Sequence, residues 1–317
     1  MLTALAGGVG GSKLLLGLKH EVLAGSGTAV VNTADDENFF GLHVSPDLDT
    51  VIYTLSGLSD EVRGWGVRDD TFHALEMLGR LGCEMWFKLG DRDLATHIYR
   101  TMRLRAGATL TQVTAEIAER LGAGWTILPM TDDRVRTWIE TPRGFIPFQE
   151  YFVKNMASDR ILSIQYRGVE SAAPTPQVVR ALTEAKSIII CPSNPIASIG
   201  PILSLPGVRD IIKKSDAKVL AVSPIVGGRA LKGPAAKMMA ELGIDPSPAG
   251  VAGIYRDFLD VMVMDSVDIS YKSEIMAMGV KVVVTNTVMS SLAHKRALAR
   301  TCLEAVGLYA QGRSNTC

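Results

Sequence analysis

The chain has 317 residues, 47% hydrophobic and 21% charged, enough to bury a sizeable core and far from disordered or collagen-like compositions. Lys plus Arg and Asp plus Glu each number 33, so no net field draws the protein to nucleic acid or an anionic membrane, and a polyanion must be gripped locally. Four scattered cysteines (Cys83, Cys191, Cys302, Cys317) offer neither the short paired spacing of a zinc site nor the density of a disulfide scaffold, which fits a cytoplasmic protein.

Met1 to Leu18 is apolar but lacks a basic n-region and is interrupted by glycines, so it reads as a strand and a helix start rather than a leader. No later apolar run reaches the roughly 18 residues needed to span a bilayer, and no membrane role is expected. Leu2 to Ala6 is the strand, Gly7 to Lys13 the loop, and Leu14 to Leu18 the helical stretch. A second strand, Ala29 to Asn32, follows one crossover later. Residues 64–120 read as helical, with three- and four-residue apolar spacing around Phe72 to Leu81 and Val113 to Leu121. Trp138 to Thr141 and Phe145 to Phe148, joined by Pro142-Arg143-Gly144, read as a hairpin. Ser187 to Cys191, Val219 to Val222, Val261 to Met264 and Val280 to Val284 are again short, unbroken apolar runs, as strands buried on both faces must be. The pattern predicts an α/β fold: a doubly wound, mostly parallel, Rossmann-like sheet. Residues 1–60 and 170–310 form the nucleotide-binding core, and residues 61–169 a helical and β-hairpin insertion carrying the acceptor site. The polar tail, Gln311 to Cys317, is expected to fray.

The loop Gly7-Gly8-Val9-Gly10-Gly11-Ser12-Lys13 is the first candidate site. Glycines admit a phosphate to the backbone, and the following helix N-terminus presents positive amides to it. The sequence fits neither GxGxxG, since Lys13 replaces the third glycine, nor the Walker order. Asn32-Thr33-Ala34-Asp35-Asp36 lies at the carboxyl end of the second strand, where open α/β sheets bind ligands. Its acids suit a ribose, a magnesium ion or a helix cap. In Ser45-Pro46-Asp47-Leu48-Asp49-Thr50, two carboxylates two residues apart repel each other and call for a cation or hydrogen bonds, with a capped helix start as the bland alternative. Lys88-Leu89-Gly90-Asp91-Arg92 brings two cations to a turn, fit for an anionic ligand or for surface ion pairs, and His97 reads first as structural. Cys191-Pro192-Ser193-Asn194, Ser223-Pro224-Ile225-Val226-Gly227-Gly228 and Gly233-Pro234-Ala235-Ala236-Lys237 end strands or open a helix where a base or ribose would be read.

Taken together, GGVGGSK at 7–13, NTADD at 32–36, SPDLDTVIY at 45–53, KLGDRDLATH at 88–97, ILPMTDD at 127–133, CPSNPIASIGPILSLPG at 191–207, SPIVGG at 223–228 and GPAAK at 233–237 resemble the 2-phospho-L-lactate transferase family of coenzyme F420 biosynthesis. The resemblance covers nearly the whole chain. It implies that the ribityl hydroxyl of the deazaflavin FO attacks the phosphorus bearing the acyl group in a guanosine diphospho donor, releasing GMP. The acyl group is 2-phospho-L-lactate, phosphoenolpyruvate or 3-phosphoglycerate in type.

The implied roles are Asp49 and Asp47 in catalysis; Asp49, Lys88 and Arg92 on FO; Gly8, Gly10, Gly11, Ser12, Lys13, Asn32, Thr33, Ser193 and Asn194 on the nucleotide; and Asp49, Asp47 and Asp36 on Mg2+. A homodimer is expected, with small-molecule substrates as the partners. Two other classes stay open at this stage: a nucleotide-sugar-binding regulator of the same superfamily, disfavoured by the DLDT segment, and a dinucleotide dehydrogenase, disfavoured by the absent third glycine.

Overall fold

Leu2–Ala6, buried at all five positions, forms β1, and Gly27–Val31 forms β2 beside it in parallel, from Leu2 opposite Gly27 to Ala6 opposite Val31. The computed structural model describes residues 1–23 and 25–308; the tail expected to fray lies outside them. Seven strands, all parallel, make the central sheet in the order Lys281–Thr285, Val261–Asp265, Lys218–Val222, Ser187–Ile190, β1, β2, Thr126–Pro129. The strands alternate inward and outward into two cores. Leu5, Val30, Ile188 and Ile190 enter one, and Ala4, Ala6, Val31 and Ile189 the other, as a sheet covered on both faces requires.

The α/β, doubly wound expectation is met. From β1 the chain runs outward through β2 to Thr126–Pro129, then returns to the other side of β1 with Ser187–Ile190. The order reverses between those two strands, and a crevice opens outside their carboxyl ends. Two details differ from expectation. Thr126–Pro129 lies within residues 61–169 yet forms the edge of the central sheet. The hairpin predicted from Trp138 to Thr141 and Phe145 to Phe148 is found as Arg136–Thr141 with Gly144–Pro147 and gains a third strand, Ser163–Arg167. That strand is half exposed, so it carries no apolar run to announce it.

Helix α1 spans Gly8–Glu21, α2 Pro46–Leu55, α3 His73–Arg80, α4 Asp91–Arg105 and α5 Leu110–Arg120. Residues 64–120 are thus helical only in part, with non-helical segments before and after α3. The starts of α3 and α4 are tied reciprocally. Asp91 accepts from the amides of His73 and Ala74 at 3.1 and 3.0 Å, and Asp70 accepts from those of Arg92 and Asp93 at 2.9 and 3.1 Å. Each carboxylate satisfies orphan amides of the other helix and meets its positive end. This clasp holds the start of α4 beside that of α3. Asp70→Ala should lower unfolding free energy by about 0.5–2 kcal/mol, the usual cost of a lost cap, read from a urea midpoint; no shift would mean that water replaces the clasp.

Candidate active site

The crevice is a cavity of about 820 Å³. The start of α1, the start of α2, Pro192–Asn194 and the segment Trp86–Leu89 all line it.

Helix α1 begins at Gly8, earlier than the apolar pattern suggests, so Gly8, Val9 and Gly10 form its first turn rather than a free loop. Their amides have no intrahelical acceptor. The glycines also answer a packing demand. A Cβ at Gly10 would lie 2.2 Å from the Pro192 carbonyl oxygen, and one at Gly11 would lie 2.5 Å from Ser193 Oγ. Gly8 has φ +60°, where a side chain is strained. Ser193 Oγ accepts from the Gly7 amide at 3.0 Å and donates to the Gly7 carbonyl at 2.7 Å. Asn194 Oδ1 accepts from the amides of Ile196 and Ala197. Ser193 and Asn194 therefore border the cavity while bracing the loop. Ser12 donates to the Val9 carbonyl, and Ser12 and Thr33 are buried outside the cavity wall. Lys13 lines the cavity and makes no hydrogen bond or ion pair among the described residues. Burial, then the charges of Lys232 and Lys295, push its pKa down, partly opposed by Glu61. An anion in the cavity would offset this depression.

The acids divide into two sets. Asp47 Oδ2 accepts from Asn32 Nδ2 at 3.0 Å, and Asn32 Oδ1 accepts from the Ala34 amide, so the fully buried Asn32 orients Asp47 and does not itself line the cavity. Asp47 also leans on the start of α1, where a Cβ on Gly7 would meet its Oδ2 at 2.5 Å. Burial raises the Asp47 pKa to about 6, Asp36 adds to the rise, and Asn32 and Gly8 oppose it. Asp35 lines the cavity too, is held well above the usual carboxylate range by burial and then by Asp47, and has one oxygen without a partner. Asp36, expected beside a metal, instead accepts from Ser45 Oγ at 2.8 Å and contacts His43 Nε2 at 2.9 Å, outside the cavity wall. No cluster of three or more His, Cys, Asp or Glu able to hold a metal occurs among the described residues. The pair Asp35 and Asp47 nonetheless suits a hard cation that takes its remaining ligands from phosphate and water: two oxygen donors, an unpartnered atom and a surplus of negative charge.

Asp49 belongs to the second set. Arg100, fully buried on α4, grips both its oxygens, Nη1 to Oδ2 at 3.0 Å and Nη2 to Oδ1. Arg100 Nη1 also lies 3.2 Å from His97 Nδ1, and His97 Nε2 lies 3.2 Å from Asp93 Oδ1, which accepts from Tyr53 Oη at 2.8 Å. Asp49, Tyr53, Asp93 and His97 all line the cavity. The metal role expected for Asp49 thus meets a carboxylate whose charge is already matched, and His97, expected to be structural, is buried in the polar network beside it. Sequence reasoning missed Arg100, Asp93 and Tyr53. Their signal is the spacing: Asp93, His97 and Arg100 fall at i, i+4 and i+7 on the buried face of α4. Lys88 lines the cavity, whereas Arg92 is exposed, bonded to the Arg68 carbonyl and absent from the wall, because it projects from the outer face of α4. Aromatic rings also border the cavity, among them Trp86, Phe87, Phe148 and Phe152; Phe87 stacks on Phe39 at 3.9 Å and Phe148 on Phe152 at 5.7 Å.

The raised acids fix a sign. A carboxyl that holds its proton more tightly folded than unfolded stabilises the fold at low pH, and that contribution is lost as pH rises through the folded pKa. For Asp47 the window runs from the ordinary carboxylate range to about 6. Asp47→Asn should therefore raise the melting temperature of the ligand-free protein clearly more at pH 7.5 than at pH 4.5; an equal shift at both values would reject the assignment.

The model of the family described as 2-phospho-L-lactate transferase CofD matches residues 2–296. The 2-phospho-L-lactate transferase of Methanococcoides burtonii is 44% identical over 295 residues, covering 93% of this chain and 96% of that protein. The phosphoenolpyruvate transferase of Streptomyces griseus is 42% identical over 309 residues, covering 96% and 97%. Among solved structures, a UPF0052-family protein of Bacillus halodurans superimposes with a TM-score of 0.62 at 17% identity, covering 96% of this chain and 98% of that one, and shares the fold. A family match over nearly the whole chain, with relatives that are named transferases, means that this chain is an enzyme and belongs to the 2-phospho-L-lactate transferase family.

Proposed function

We propose that the protein joins a phospho-acyl group to the ribityl hydroxyl of the deazaflavin FO, drawing it from a guanosine diphospho donor, in F420 biosynthesis. The hydroxyl oxygen forms a bond to the phosphorus that carries the acyl group. The bond from that phosphorus to the bridging oxygen breaks, GMP departs with the electron pair, and the hydroxyl proton passes to a carboxylate or water. Such a reaction asks for in-line positioning and charge neutralisation more than for covalent chemistry.

One observation carries the reading: a single cavity combines an anion-seeking end, a pair of carboxylates that repel each other and an apolar, aromatic end beside a charge-matched carboxylate. The donor diphosphate suits the amides of Gly8, Val9 and Gly10 with Lys13. Mg2+, held by Asp35 and Asp47 together with phosphate oxygens, would supply the positive charge that offsets the diphosphate. Asp49 suits the acceptor hydroxyl, and the rings of Trp86, Phe87 and Phe148 suit a planar tricyclic system. Lys88 stands at the same end, while Arg92 has no part in this reading. The acyl group is lactyl, enolpyruvyl or glyceryl, and relatives named for the first two are almost equally similar.

Incubating the protein with FO, Mg2+ and each of the three guanosine donors, then weighing the products, tests the reading. One donor should yield the corresponding F420 precursor and an equal amount of GMP. Formation of neither product with any donor refutes the assignment. In the same assay Asp47→Asn should reduce turnover by about 100-fold or more and abolish the response to Mg2+ titration; an unaltered Mg2+ response would remove Asp47 from the metal.

A further inference from the structure

The network behind Asp49 is built for more than storing a charge. Asp49 and Tyr53 lie one turn apart on α2, and Asp93, His97 and Arg100 lie at successive turns on α4, so the two helices face each other through a continuous chain of polar contacts. Its links are Asp49 to Arg100, Arg100 to His97, His97 to Asp93 and Asp93 to Tyr53. A guanidinium is always a donor, so His97 Nδ1 must accept from Arg100 and the ring proton stands on Nε2, toward Asp93. Both His97 Nε2 and Arg100 Nε are buried without a well-aligned hydrogen bond.

We propose that Arg100 and His97 are positioning residues that hold the Asp49 carboxylate in one orientation for the acceptor hydroxyl. The inference rests on the function proposed above. A carboxylate on a flexible Cβ can rotate about its χ angles, but a bidentate guanidinium fixes its plane and leaves its outward lone pairs pointing one way. His97 in turn fixes the guanidinium, and Asp93 with Tyr53 fixes the ring. None of these four residues, Arg100, His97, Asp93 and Tyr53, needs to touch the donor, whose anion-seeking end is formed by α1. The network should therefore govern the acceptor half of the reaction alone.

Arg100→Lys separates positioning from charge balance, since lysine keeps the cation but loses the fork. It should leave the affinity for GDP close to wild type while lowering kcat with FO by about 100-fold, the scale of a misplacement near one ångström. His97→Gln, which leaves the Arg100–Asp49 pair in place, should lower kcat/KM for FO by about tenfold while KM for the guanosine donor stays constant. Unchanged kcat in both variants overturns the proposal. So does a loss of GDP affinity parallel to the loss of turnover, which marks a structural role. Should Arg100→Lys not fold, His97→Gln decides by the same two readouts. Wild-type protein that binds GDP but makes no product from FO would instead defeat the function proposed above, and this inference with it.

Discussion

Two carboxylates in one helical turn meet opposite electrostatic fates, and the organisation of the site follows from that. Asp47 and Asp49 both belong to the first turn of α2, where the helix dipole favours negative charge. Residues two apart on a helix do not share a face. Asp47 consequently turns toward α1, Asn32 and Asp35, where no cation answers it, and Asp49 turns toward α4, where Arg100 does. The first is an incomplete arrangement that a ligand can complete. The second is complete in itself and offers only its orientation.

The same geometry explains why the residues expected to bind metal are redistributed. In sequence, Asp47-Leu48-Asp49 looks like a pair of repelling charges in need of one shared cation. That reading treats the segment as extended chain, where neighbouring groups could converge on one ion. Once the segment is a helix start with Pro46 in its first turn, convergence is excluded, and the second acid near Asp47 has to come from another element. Asp35, in the segment that leaves β2, lies close enough to Asp47 to feel its charge, while its neighbour Asp36 turns the other way to Ser45 and His43.

What was legible in the sequence was what depends on burial of both faces of a strand. The runs at Leu2, Ala29, Ser187, Val219 and Val261 are apolar because helices cover the sheet on either side; these and the run at Val280, a half-exposed edge strand, are each a strand of the central sheet within a residue or two. Strands covered on one side only leave a weaker trace. Ser163–Arg167 alternates half-exposed and exposed positions and escapes notice. Thr126–Pro129 is an edge strand of four residues, too short to stand out from the helices before it. At the site, the glycine loop and the acids were visible because such residues are unusual at strand ends. Arg100 was not, because an arginine on a charged helix reads as surface until the fold shows that it is fully buried. Asn32, Ser193 and Asn194 were found for their chemistry, but the structure gives their polar atoms to the loop and to Asp47.

The glycines deserve the same scrutiny. Gly10 and Gly11 are required by the close approach of α1 to Pro192 and Ser193, so their presence would be explained without any phosphate. That approach is itself a consequence of the sheet order. β1 and Ser187–Ile190 are adjacent strands on either side of the reversal, and the segments leaving their carboxyl ends must cross at backbone distance. The case for an anion there consequently rests on what packing leaves unpaired: the amides of the first turn of α1, and a Lys13 whose neighbours Lys232 and Lys295 are cations. Set against these stands the raised pair of Asp35 and Asp47 on the same cavity. A polyanion alone would relieve the lysine and worsen the acids, and a cation alone would do the reverse. A polyanion carrying its own divalent cation would satisfy both ends at once, and this is the electrostatic support for the metal-bound diphosphate proposed above.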